Sequence, residues 1–192
     1  MNQLELLALK WRAIAWLVLG RRAAALAIFD AMLARWPDDT YLLSSRSNLH
    51  AQSGRIEAAL ADSTRLVALQ PDRAPAWFNH GFLLESLERW ELALAAFVRA
   101  AELSPKLDRA WYGQGLVLIR LQRLDEAVAA LKRNTELQPM SPYGWYQLAR
   151  VHADRHEPDE AAKIIRHLKG FEPKVAAQLE RETGLLAGRT AS

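Results

Sequence analysis

The chain has 192 residues, 51% of them apolar and 24% charged, which suits one compact domain or a short run of stacked repeats rather than two separate domains. Its 25 Lys and Arg against 22 Asp and Glu leave a net charge of +3 with no basic arm or acidic tail, so no concentrated face is offered to a polyanion. The absence of cysteine excludes a disulfide framework, thiolate zinc sites and a cysteine nucleophile.

From the N-terminus, Leu4 to Gly20 is very apolar, yet it contains Glu5, Lys10 and Arg12 and lacks a basic start and a small-residue cleavage site. It is also too short to span a membrane uncharged, and it reads as the first helix of a cytoplasmic chain. A strict period follows. Pro37, Pro71, Pro105, Pro139 and Pro173 lie 34 residues apart, and Ala25, Ala59, Ala93, Ala127 and Ala161 keep the same step. The period divides the chain into units 6–39, 40–73, 74–107, 108–141 and 142–175.

In the unit 74–107, positions 77, 81, 84 and 87, and again 93, 97 and 100, recur three or four apart, which predicts two amphipathic helices of about fourteen residues. Between the two helices of each unit stand Gly20-Arg21, Gly54-Arg55, Glu88-Arg89, Gln122-Arg123 and His156-Glu157, a tight turn in which the first two units use glycine to leave the helix. The small column Ala13, Ser47, Gly81, Gly115 and Ala149 lets the paired helices approach closely. Each proline ends a second helix by displacing the residue before it, and Asp108 or Ser141-Pro142 starts the next first helix. Helix pairs of this length bury their stripes only by stacking, which predicts a curved α-solenoid. After Pro173, the stripe Val175, Leu179, Thr183 and Leu186 predicts a capping helix over 176–187, with residues 188–192 as a frayed tail.

Trp77, Gly81, Leu84, Ala93, Phe97, Ala100 and Pro105, echoed by Trp111, Gly115, Leu118, Ala127, Leu131 and Pro139, carry a resemblance. This pattern resembles the tetratricopeptide repeat, W-x2-L-G-x2-Y then A-x3-F-x2-A then P, over residues 6–175. The resemblance implies an all-α, right-handed α-solenoid of five stacked helix-turn-helix units plus a C-terminal capping helix. It further implies a non-catalytic protein–protein interaction scaffold that binds a peptide or partner segment in a concave groove lined by first helices. Departures from the pattern occur at Leu43, Arg46, Ser47 and Ser63 in the second unit, expected to be the least stable link, and at Asn134 in the fourth. Each is either a tolerated packing defect or a polar group bonded to a neighbour.

On the family's groove positions fall Asn48, Phe78, Asn79, Phe82, Arg109, Tyr112, Leu116, Tyr143, Tyr146, Gln147 and Arg150. Amides there can pair with a peptide backbone, rings supply apolar area at low entropy cost, and Arg109 with Arg150 can hold a carboxylate. Asn48, Asn79 and Arg109 match in kind part of the clamp by which some family members hold chaperone-tail carboxylates, whereas Ser44 and Gly113 replace two basic positions. The first helix, with Leu7, Trp11, Ile14, Leu17 and Val18 apolar opposite an apolar packing side, is either a second candidate interface, for another copy or a partner, or a stretch that folds against the inner wall of the superhelix.

No enzyme constellation emerges, and no cofactor is expected. His152 and His156 have the spacing of a helical metal pair, but one lies on a packing column and the other in a turn, so no metal site is expected. A nucleic-acid partner is not expected either: Arg65, Arg99 and Arg133 form a column on the outer faces of second helices, where a basic residue is usual in this repeat. Three readings remain: a groove-binding scaffold, a structural subunit assembling through the N-terminal helix, and, last, a helical repeat that reads RNA.

Overall fold

The computed structural model describes residues 3–185, which form eleven helices and, among the described residues, no strand. The chain divides into two compact units, Met1–Glu88 and Arg89–Ser192. The first contains α1 (Gln3–Val18), α2 (Arg22–Arg35), α3 (Thr40–Gln52), α4 (Ile56–Leu69) and α5 (Ala74–Ser86). The second contains α6 (Trp90–Leu103), α7 (Asp108–Arg120), α8 (Leu124–Leu137), α9 (Pro142–Asp154), α10 (Pro158–Lys169) and α11 (Pro173–Thr183). The two helices of the third repeat thus fall in different units.

Within each unit every helix packs on the next in sequence, and α11 also packs on α9. In the first unit Ala13, Ala25, Phe29, Met32, Leu42 and Leu43 form a core flanked by Leu6, Leu9 and Trp16. In the second, Leu118, Leu131, Leu148, Val151, Ile165, Leu168 and Leu179 do the same. The small column sets the helix spacing at Gly115, where a Cβ would lie 2.6 Å from the side chain of Leu131; outside that column, a Cβ on Gly113 would lie 2.8 Å from the Phe97 ring.

All five inter-helix turns adopt the left-handed conformation. Gly20 and Gly54 have φ of 72° and 75°, and Glu88, Gln122 and His156 reach 56°, 59° and 59° at the equivalent position. The N–H groups of Arg21, Arg55, Arg123 and Glu157 donate to the carbonyls of Trp16, His50, Leu118 and His152, which satisfies otherwise orphaned helix-end acceptors. At the other junctions Trp36, Gln70, Ser104 and Gln138 leave the helix ahead of a proline, with φ between −128° and −143°. The tryptophan of the next repeat then ties that proline down. Nε1 of Trp77, Trp111 and Trp145 donates to the carbonyl of Pro71, Pro105 and Pro139 at 2.8, 3.0 and 2.9 Å.

Two expectations need correction. Pro173 does not end α10. That helix stops at Lys169 with Gly170 as its cap, and Pro173 opens α11, where its fixed φ and missing N–H suit the first turn. The capping helix therefore runs over Pro173–Thr183 rather than 176–187, because Gly184 turns left-handed at φ 69°. Leu186 and the expected tail at 188–192 lie outside the described residues.

Of the departures from the repeat pattern, Leu43 is buried in the apolar core, and the polar ones are bonded. Asn134 is buried and its Nδ2 donates to the Asp108 carbonyl at 2.9 Å. Arg46 grips Asp62 with two bonds, of 2.8 and 2.6 Å, and Asp30 with a third of 2.8 Å, and this pairing raises its pKa. Ser47 Oγ donates to the Ala59 carbonyl, and Ser63 Oγ lies 3.1 Å from Nδ1 of His80.

Candidate functional site

The candidate groove residues sit on α3 and α5 of the first unit and on α7 and α9 of the second. On α3 and α5, Asn48, Asn79 and Phe82 are exposed and Phe78 is half-buried. On α7, Arg109 is exposed near the N-terminus, with Tyr112 and Leu116 half-buried further along. Tyr143 on α9 is 69% exposed. Tyr146 and Gln147 are half-buried and Arg150 is exposed.

A built cleft exists where α11 lies along α9. Pro142, Tyr143, Tyr146, Val175 and Gln178 line a cavity of about 260 Å³, which offers two tyrosine rings, a proline and a valine beside one amide. A second, polar cavity of about 520 Å³ is lined by Arg150, Ala153, Asp154, Glu182 and Thr183. Tyr146 joins the two. Its hydroxyl donates to Oε2 of Glu182 at 2.6 Å, Gln178 Nε2 donates to Oε1 of the same carboxylate at 2.8 Å, and Arg150 lies 5.8 Å from the Tyr146 ring. The bond to Glu182 pushes the Tyr146 hydroxyl pKa up and holds the Glu182 carboxyl below its ordinary value.

The structure therefore brings Tyr143, Tyr146 and Arg150 to one cleft. It also adds Val175, Gln178 and Glu182 from α11, which sequence reasoning placed only in a cap. The α11 stripe signalled that a helix would pack there, but no repeat position indicated which polar residues would face α9. Tyr146 and Arg150 are already engaged within the chain, leaving Tyr143 as the most open ring of the cleft.

Other candidates are placed as follows. On α1, Leu7, Trp11, Leu17 and Val18 are exposed and Ile14 is half-buried. His152 is buried with Nδ1 2.6 Å from Glu157, a carboxylate that Arg155 also grips at 2.9 Å, while His156 is exposed in its left-handed turn. Among the described residues no three His, Asp or Glu side chains cluster as metal ligands. The column Arg65, Arg99 and Arg133 is ion-paired with Asp38, Glu102 and Glu136, which cancels its local charge. No described helix is long and apolar enough to cross a membrane.

Two family models, both described as tetratricopeptide repeat, match residues 47–111 and 112–173. No curated protein matches the chain. Among solved structures, MamA from Desulfovibrio magneticus RS-1 is 20% identical, with a TM-score of 0.78 over 91% of this chain and 94% of that one. YrrB, described as a TPR protein with an unusual peptide-binding site, is 20% identical with a TM-score of 0.78 over 88% of each chain. A tetratricopeptide repeat protein from Parabacteroides merdae is also 20% identical, with a TM-score of 0.81 over 92% of this chain and 73% of that one. With a 34-residue helix pair recurring in phase, both repeat models covering residues 47–173 and the same all-helical solenoid fold in these structures, the chain belongs to the tetratricopeptide repeat family.

Proposed function

We propose that this chain is a non-catalytic interaction scaffold that holds an extended peptide against its first helices, with the cleft between α9 and α11 as the main anchoring point in the second unit. The observation carrying this reading is the open Tyr143 ring in the lining of a cavity of about 260 Å³ that it shares with Pro142, Tyr146, Val175 and Gln178. Flat rings and proline give an extended apolar segment contact area at little entropy cost, and an amide fixes its backbone direction. Within the second unit Arg109 on α7 offers a cationic contact, and in the first unit the α3 residue Asn48 and the α5 residues Phe78, Asn79 and Phe82 offer rings and amides of their own. YrrB, a relative in fold, is described as having a peptide-binding site, which supports the class of ligand.

The test is capture from a native lysate by the purified chain, compared with a Tyr143→Ala, Gln147→Ala variant of unchanged melting temperature. Loss of the specific partner supports the groove, and undiminished capture removes it. Captured RNA whose binding falls steeply with added salt would replace this reading with an RNA-binding one.

A second reading, favoured by the exposed apolar residues of α1, makes the chain a subunit that assembles with copies of itself.

A further inference from the structure

On a helix of 3.6 residues per turn, Leu4, Leu7, Ala8, Trp11, Ala15 and Val18 of α1 fall within one arc of about 100°. All six are exposed, with Leu4 at 72%, Leu7 at 52%, Trp11 at 64% and Val18 at 81%. The arc holds no charge. Glu5 pairs with Arg35 and Lys10 with Asp39, both to the side of the stripe.

The repeat shows what such a face is for. One period on, Ala8 and Ala15 correspond to Leu42 and Leu49 of α3, which are buried in the core that α3 shares with α2. Another period on they correspond to Ala76 and Leu83 of α5, also buried, on a helix packed against α4. Ala8 and Ala15, along one edge of the α1 stripe, thus occupy positions at which this repeat receives a neighbouring helix, whereas Leu7 and Trp11 stand at the open-face positions of Tyr41 and Ser45; none of the described residues covers the stripe.

Resting on the self-assembly reading above, we infer that the occupant is α1 of a second copy, lying antiparallel across a two-fold axis at Trp11. In that register Leu4 faces the partner copy's Val18 and Leu7 faces its Ala15, so a large side chain meets a smaller one at each step, with the two indoles at the centre. This is the self-complementarity an isologous interface requires. Among the described residues the exposed side chains of α11 include Lys174, Gln178, Arg181 and Glu182, a polar face that does not match the apolar stripe in a head-to-tail stack. Covering the stripe removes at most on the order of 600 Å² from each copy, a total near the lower end of specific dimer interfaces. Indoles at the centre of such a patch are the expected hot spot.

Sedimentation and single-cysteine cross-linking test this in the full chain, whose lack of native cysteine makes each introduced thiol unambiguous. At about 100 μM the wild-type protein should sediment at twice its 21.6 kDa mass, and Trp11→Glu should weaken the dimer by about 100-fold or more. Under mild oxidation a mixture of Leu7→Cys and Ala15→Cys chains should form a disulfide-linked pair, whereas neither variant alone should. If Trp11→Glu fails to fold, the cysteine mixture decides alone. A wild-type monomer overturns both the inference and the self-assembly reading, whether the stripe is then covered by an upstream segment, a different protein or nothing. A dimer that survives Trp11→Glu, or self-cross-linking of either cysteine variant, overturns this arrangement while leaving self-assembly in place. The groove variant Tyr143→Ala, Gln147→Ala should dimerise normally, which keeps this outcome separate from peptide capture.

Discussion

The five equivalent turns allow a two-directional test of backbone strain, because the same left-handed position holds glycine in two repeats and a residue with a Cβ in three. At Gln122, with φ of 59°, an L side chain in this region costs about 1–2 kcal/mol, and glycine removes that cost while losing about 0.5–1 kcal/mol to the extra freedom of its unfolded chain. The Gln122 amide donates one exposed bond to the Ile119 carbonyl at 3.2 Å, worth a few tenths of a kcal/mol at most in water. Gln122→Gly should therefore stabilise the protein by about 0.5–1 kcal/mol, raising the melting temperature by about 1–4 °C. Gly54→Ala should act in the opposite sense. A Cβ there meets nothing within 4 Å, so its loss of about 1 kcal/mol is purely conformational. Calorimetry and urea melts of both variants measure the shifts. A lower melting temperature for Gln122→Gly, or a neutral Gly54→Ala, would refute the strain argument.

Replacing Gly115 by leucine forces a side chain into Leu131, since even its Cβ would lie 2.6 Å away, and should cost about 1–3 kcal/mol in a urea melt. Arg46→Leu strands the buried Asp62 carboxylate and should cost about 3–5 kcal/mol, whereas Arg46→Leu with Asp62→Leu should recover most of that loss; a double variant no better than the single one would rule out the stranded charge as the cause. Burial lowers the pKa of His80, so from about pH 6.5 downward the unfolded chain takes up a proton that the native chain resists. Stability at His80 is accordingly full above pH 6.5 and is lost as pH falls toward the depressed native value. His80→Gln should show a smaller drop in melting temperature between pH 8 and pH 5 than wild type, and an equal drop would assign the acid sensitivity elsewhere.

Local periodicity settled the helix pairs, the positions of the turns and the small columns at Gly115 and Ala149, because these depend on spacings within one or two turns of helix and on backbone rules at proline and glycine. The choice of groove candidates on first helices came from the resemblance to the repeat family and not from the periodicity. What periodicity left open was the satisfaction of polar groups over long separations. Nothing near Asn134 in sequence announces the Asp108 carbonyl, and nothing near Arg46 announces two carboxylates on different helices. Likewise, Tyr146 and Glu182 are 36 residues apart, and only the packing of α11 on α9 made them partners and lined the cleft beside Tyr143 and Tyr146 with Val175 and Gln178. The apolarity of α1 was written in its residues, but whether Leu4, Trp11 and Val18 would be covered depended on which helices lay beside them. Burial is a property of the neighbours a residue acquires, and tertiary structure alone decides those.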